Sequence, residues 1–233
     1  MKRLNVLGCI VGVALAVIIS FPHAAAAIWL NVPTKFQEKS NWCWSATSQA
    51  VLEYYGIYYL QTEIAAYGTP GQDNLPNYLY GQDARRKGLD MILAYFGGIY
   101  SQGVPYPVSE NQVVYSIENL QRPMPIRWGW ESIETGHIAA LTGVAYQEQV
   151  LYVSLMDPAR GRYIKTYDWV DGGSPDGSWT HTLVLQRLGP VSDEGVNIDI
   201  AGINPYAGVA PKVDLPAMLP NSPNWDGAYL SKP

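Results

Sequence analysis

The sequence predicts an α+β protein in which a helical half is followed by an antiparallel β half. Two observations carry this. Up to about residue 120 the apolar residues recur at three- and four-residue spacing, and segments end at glycines such as Gly56, Gly97 and Gly98. Beyond that point the texture changes to runs rich in Val, Ile, Tyr, Thr and Trp, broken by Gly, Pro and Asp turns. No internal repeat or low-complexity tract interrupts this order.

The chain opens with Lys2 and Arg3, an apolar run from about Val6 to Phe21, and a block of small residues from Ala24 to Ala27. A charged start, an apolar centre and an A-x-A site form the plan of a secretory signal peptide, which predicts cleavage after residue 27 and a mature chain beginning near Ile28. The apolar run is short for a retained membrane anchor, so stable membrane insertion after cleavage is not expected. Cys9 precedes most of the apolar run, whereas a lipid-acceptor cysteine would follow it.

The mature chain enters as the extended "IWLNVPTKF". Ser40 or Asn41 can then cap a helix over Trp42 to Tyr55, with Cys43, Ala46, Ala50 and Tyr54 on one stripe. A second helix is expected around Leu60 to Tyr67 and a third from about Ala84 to Phe96, separated by the turn-rich "GTPGQDNLPN". After the loop "GVPYPVS", Ser109 and Gln112 have capping-box spacing ahead of an apolar stripe of Val113, Ile117 and Leu120.

Strands are expected in "PMPIRWGW", "HIAALTGVAY", "QVLYVSLMD", "RYIKTYDWV" and "WTHTLVLQRL". From about residue 190 the chain turns Pro- and Asn-rich and loses periodicity, which reads as an extension adding no core of its own. The expected organisation is therefore a signal peptide over 1–27, one domain over 28–189 and an extension over 190–233.

The 233-residue chain holds 15 basic and 20 acidic residues, and removing residues 1–27 leaves 13 against 20. A net charge near −7 argues against nucleic acid or an anionic membrane surface as partner. Export also reduces two cysteines to one, Cys43, so the mature chain cannot form an internal disulfide. A lone thiol in an oxidising compartment is either reactive or a small buried hydrophobe.

Its neighbours favour chemistry. Cys43 stands at a helix start, where the helix dipole stabilises a thiolate. A thiol nucleophile further requires a base, a group to orient that base, and donors for the oxyanion. Only His137 and His181 survive export. His137 opens a strand after Gly136, which leaves room beside the imidazole, and Asp157 closes the next strand twenty residues on. Antiparallel pairing of those strands would bring the two together. Gln37, six residues before Cys43, can supply an oxyanion donor beside the Cys43 backbone N–H. His181 lacks a comparable carboxylate and is expected to serve packing or surface roles; Trp179 is either a shield over the His–Asp pair or an ordinary core tryptophan.

These residues resemble the papain-like cysteine peptidases, especially the bacterial branch that includes the staphopains and the peptidase domains of bacteriocin exporters. The resemblance runs over Gln37, Cys43 and Trp44, then "SATSQAVLEYYG", "QTEIAAYG", "RPMPIRW", "GHIAALTGVAY", "DPARGRY" and "WTHTLVL", about residues 34 to 188. It implies a papain-like fold with a cleft between a helical and a β half, Cys43 as nucleophile, His137 as base and then acid, Asp157 as orienter and Gln37 as oxyanion donor. It implies a peptide or protein substrate and no cofactor or metal. An Asp in place of plant papain's Asn suits the bacterial branch. No prodomain stands between cleavage site and cysteine, so restraint would fall to fast export, a separate inhibitor or the C-terminal extension. The same machinery serves acyltransferases and amidases, and a catalytically silent binding protein is a further alternative.

Overall fold

The computed structural model describes residues 27–129, 136–173 and 177–188. The expected signal peptide and C-terminal extension lie outside those residues. Helices come first: α1 (Cys43–Tyr54), α2 (Gln61–Gly68) and α3 (Leu89–Gly97). With β1 (Ile28–Trp29) ahead of them, β2 (Ile99–Val104), α4 (Glu110–Val114), β3 (Met124–Gly129), β4 (Gly136–Gln147), β5 (Val150–Asp157), β6 (Gly161–Thr166) and β7 (Ser178–Leu188) follow, with π-helical turns at Tyr115–Asn119 and Trp169–Gly173. No described helix is long and apolar enough to cross a membrane.

The strands form one antiparallel sheet in the order β2-β7-β3-β4-β5-β6, with β1 pairing the far end of the long β4. Strand alternation divides the core in two. Ile138, Leu183 and Leu185 face the helical half and pack with Trp44, Leu52, Ile64, Ile92 and Leu93. Residues one step out of phase, Ala139 and Val184, join Ile126, Trp128, Val153 and Trp179 in the second cluster, which α4 covers with Val113. The helical half thus packs on one face of the sheet and α4 on the other.

Helix α1 is buried on almost every side because its residues are small: Ser45, Ala46, Thr47, Ser48 and Ala50 are all fully enclosed. Their hydroxyls are satisfied internally, Ser45 Oγ on Gln61 O at 2.9 Å and Thr47 Oγ1 on Ile138 O at 3.2 Å. The second bond joins the helix of Cys43 directly to the strand of His137.

Three local expectations are corrected. Neither Ser40 nor Asn41 caps α1; the N-cap is Trp42, without a side-chain bond. Asn41 instead donates two 2.9 Å bonds to Asn74, from its backbone N–H to Oδ1 and from its side-chain amide to the carbonyl oxygen, and the Asn74 amide donates to Ser40 Oγ, so these polar residues fasten the 69–77 loop to the helix start. Helix α3 begins at Leu89 rather than near Ala84, because Asp83 accepts from the amides of Arg85 and Arg86 and holds those residues in a turn. It ends where Gly98 takes a left-handed conformation at φ +60°. Strand β2, "IYSQGV", was not anticipated: Ser, Gln and Gly weaken its strand signature, and its pairing with β7 is what orders it. The Ser109 and Gln112 capping box is present at α4.

Candidate active site

Cys43 occupies the first position of α1, where its backbone N–H has no intrahelical acceptor. His137 is the second residue of β4 and Asp157 the last of β5. The antiparallel β4–β5 ladder brings these two strand ends together, and His137 Nε2 lies 2.7 Å from Asp157 Oδ1. Cys43 lines the same cavity as the His137 ring and lies near enough to add to the forces that favour its charged form. With Nε2 engaged by Asp157, Nδ1 is the nitrogen left for sulfur.

Asp157 is fully buried and fully satisfied. Oδ1 accepts from His137 and from the Ala159 amide at 2.8 Å; Oδ2 accepts from the Tyr163 hydroxyl at 3.0 Å. Burial would push the Asp157 carboxyl up, but the charge and hydrogen bond of His137, with the Ala159 amide, hold it below its ordinary value. Burial likewise works against a charged His137, yet Asp157 and then Cys43 raise it to about 10. Each partner is charged because the other is. Trp128, paired in register with His137, lies parallel to its ring at 6.2 Å between centroids and walls off that face.

Cys43 and His137 open onto a cavity of about 360 Å³, whose other walls include Asn77, Tyr78, Tyr80, Arg86, Arg127 and His181. No described cluster of His, Cys, Asp and Glu side chains forms a metal site. Gln37 lies on the loop entering α1, tied by its backbone N–H to Pro158 O at 3.0 Å, directly after Asp157. Its side-chain amide donates to Lys39 O at 3.0 Å and Ser40 O at 2.7 Å, which occupies both of its hydrogens in this state.

A family described as the papain-like cysteine protease AvrRpt2 matches residues 26–170, more than half of the chain. The chain belongs to this family. It is a papain-like cysteine peptidase of α+β fold, with helices leading and an antiparallel sheet following. Among solved structures, this peptidase is similar to a double glycine motif protease from an AMS/PCAT transporter in complex with the leader peptide, at 17% identity over 71% of this chain and 98% of that one, TM-score 0.46. It is also similar to a C39-like peptidase from Bacillus anthracis, at 14% identity over 71% and 100% of the two chains, TM-score 0.48. No curated protein matches the chain.

Several residues of the peptidase's site escaped the sequence reading. His181 is half-buried and lines the cavity on β7, with Nδ1 2.8 Å from Thr180 Oγ1. Trp179 is a core tryptophan, because β3 stands between it and β4; the ring beside His137 is Trp128. The space expected beside Gly136 is filled, since a Cβ there would lie 2.9 Å from Arg127 Nε and would overlap Trp128 O. Tyr163 had a readable signal. Asp157 pairs with Gly161 across the β5–β6 turn, so a residue two positions further on shares its face. Gln61 had none: it is buried in α2, accepts from Glu38 N at 3.0 Å and donates to Phe36 O at 2.7 Å, and so grips the loop on both sides of Gln37.

Proposed function

We propose that this peptidase cleaves peptide bonds through an acyl-enzyme on Cys43 and acts outside the cytoplasm. The observation that supports the residue roles is the His137 ring, bonded to a buried carboxylate and lining one cavity together with the Cys43 thiol at the helix start. His137 held as imidazolium by Asp157 is a resting partner for a Cys43 thiolate.

The thiolate attacks the substrate carbonyl carbon, a C–S bond forms, and the carbonyl π pair moves onto oxygen. The Cys43 backbone N–H and the Gln37 amide receive that oxyanion, Gln37 exchanging one of its two carbonyl bonds for it. Collapse breaks the C–N bond, and the leaving amine takes the proton from His137. The neutral imidazole then removes a proton from water as it attacks the thioester. The second collapse expels the thiolate, releases the carboxylic acid and restores the imidazolium. Asp157 keeps Nε2 oriented throughout and needs no proton of its own.

Peptides and proteins are the substrates of this reading. Replacement of Cys43 by Ala should abolish cleavage across a peptide panel while leaving the fold, monitored by circular dichroism, intact; cleavage retained by Cys43→Ala overturns the assignment. Export rests on the charged, apolar and small-residue plan of residues 1–27. N-terminal sequencing of secreted protein should begin near Ile28, and Met1 retained on that material contradicts it.

A further inference from the structure

The helical half carries an aromatic cluster that the described elements leave open. Tyr67 of α2 stacks on Tyr95 of α3 with ring centroids 4.0 Å apart and planes 11° from parallel. Phe96 meets both edge-on, Tyr67 at 5.6 Å and Tyr95 at 5.0 Å, and Tyr59 closes on Phe96 at 4.4 Å. Tyr95 is 65% exposed, and Tyr58 and Leu60, which flank Tyr59 in the chain, are 74% and 61% exposed. Single apolar side chains on a surface are ordinary, but rings in mutual contact and open to solvent mark an interaction surface. None of these residues lines the cavity of Cys43 and His137.

The chain leaves the described residues beside this cluster. Leu188, the last residue of β7, pairs in register with Ile99, two residues after α3 ends at Gly97. A Cβ at Gly97 would meet Ile99 Cδ1 at 3.0 Å and Ile57 Cδ1 at 3.1 Å, so the start of β2, the end of α3 and the segment leading into Tyr58 and Tyr59 converge there. Tyr95 and Phe96 are the two residues before that glycine.

The sequence after Leu188 has the chemistry to cover such a surface. Residues 189–233 hold seven prolines, five of which, Pro205, Pro211, Pro216, Pro220 and Pro223, fall in one stretch with Val213, Leu215 and Leu219 between them. Proline restricts its own backbone, so seating it costs little conformational entropy, and grooves lined by aromatic rings are a recurrent means of recognising proline-rich segments. The 17 residues from Leu188 to Pro205 can span up to about 55 Å when extended. A tethered segment also meets its surface at an effective concentration of about millimolar, so modest contacts suffice.

We infer that residues 205–223 dock on the Tyr59, Tyr67, Tyr95 and Phe96 cluster of their own chain, laying proline and aliphatic side chains on the exposed rings. The occupant is the C-terminal extension itself, and the seat is the surface of α2 and α3. Its docking covers an apolar patch that would otherwise draw copies of the peptidase together. The inference is independent of the chemistry assigned to Cys43 and His137.

A photocrosslinking residue in the full chain tests it. Tyr95→p-benzoylphenylalanine keeps an aromatic ring at the centre of the patch and bonds covalently to its neighbour on irradiation. Peptide mapping should join position 95 to residues 205–223, and in a mixture of 15N-labelled and unlabelled protein both joined peptides should come from one chain. Crosslinks between labelled and unlabelled chains would assign the patch to a second copy and overturn the proposal. Crosslinks that miss 205–223, or none at all, also overturn it. Hydrogen exchange gives a second reading: relative to intrinsic rates, the amides of 205–223 should exchange about tenfold or more slowly in wild type than in Tyr95→Ser. Combining Pro211→Ser, Pro216→Ser and Pro220→Ser leaves α2 and α3 unaltered, should release the same amides, and serves if Tyr95→Ser disturbs α3. Wild-type amides at their intrinsic rates, or protection that neither set of changes reduces, contradicts the docked extension.

Discussion

His137 Nε2 and Asp157 Oδ1 stand 2.7 Å apart with the carboxylate fully enclosed, so the two residues hold their charges as a unit. The depressed Asp157 carboxyl adds stability above its ordinary value of 3.8, and this is lost as pH falls through the lower folded value. The elevated His137 adds stability that is complete below its ordinary 6.5 and is lost as pH rises toward about 10. The pair therefore contributes most between pH 3.8 and 6.5. Urea unfolding of wild type and Asp157→Asn across this range should show the largest gap inside that window, narrowing above it. A gap that widens steadily toward pH 10 would contradict the charged pair.

Tyr163 holds the second oxygen of the same carboxylate. Tyr163→Phe removes one donor from a buried charge and should cost about 2 kcal/mol in urea unfolding. Turnover should fall less than with Asp157→Ala, because Ala159 and His137 still fix Oδ1. An unchanged stability would mean that Asp157 Oδ2 is satisfied in another way.

Thr47 joins α1 to β4 one turn below Cys43 and one residue beyond His137. Thr47→Val keeps the volume and removes the bond, with an expected cost of about 1 kcal/mol. It should lower kcat more than it raises KM, since it loosens the spacing of thiol and imidazole rather than the substrate's seat. An effect on KM alone would place the contact outside the catalytic geometry.

Gln37→Ala should lower turnover by about 10²-fold, the usual cost of one oxyanion donor, and spare alkylation of Cys43 by small reagents. Gln61→Leu frees the loop on both sides of Gln37 and should reduce turnover in the same sense. If both act through one donor, adding Gln61→Leu to Gln37→Ala costs little more. Full additivity would separate their roles.

The elements legible in the sequence were those with a local signal. Helix α1, the five strands from β3 to β7 and the capping box of α4 follow from periodicity and cap chemistry. The partners of His137 and Cys43 were legible to the extent that hairpin register is, which is why His137 and Asp157 could be put side by side. What escaped depends on long-range packing. Trp128 and Trp179 are both tryptophans at strand positions, and only the strand order, with β3 between β4 and β7, decides which one faces the imidazole. The same order brings Arg127 and His181, 54 positions apart by number, into register and into one cavity. The α1 cap was misassigned because Asn41 prefers a partner from a loop more than thirty residues away, a competition that no local rule contains.

The central claim is that Cys43 is activated by His137, and alkylation of that thiol against pH tests it most directly. Intact mass after brief exposure to iodoacetamide counts the adduct. Wild type should label rapidly at about pH 6, well under the range near 8.5 where a free thiol becomes reactive. His137→Ala should lose this low-pH labelling and recover it only as the pH approaches that range. Equal labelling curves for the two proteins would contradict the account.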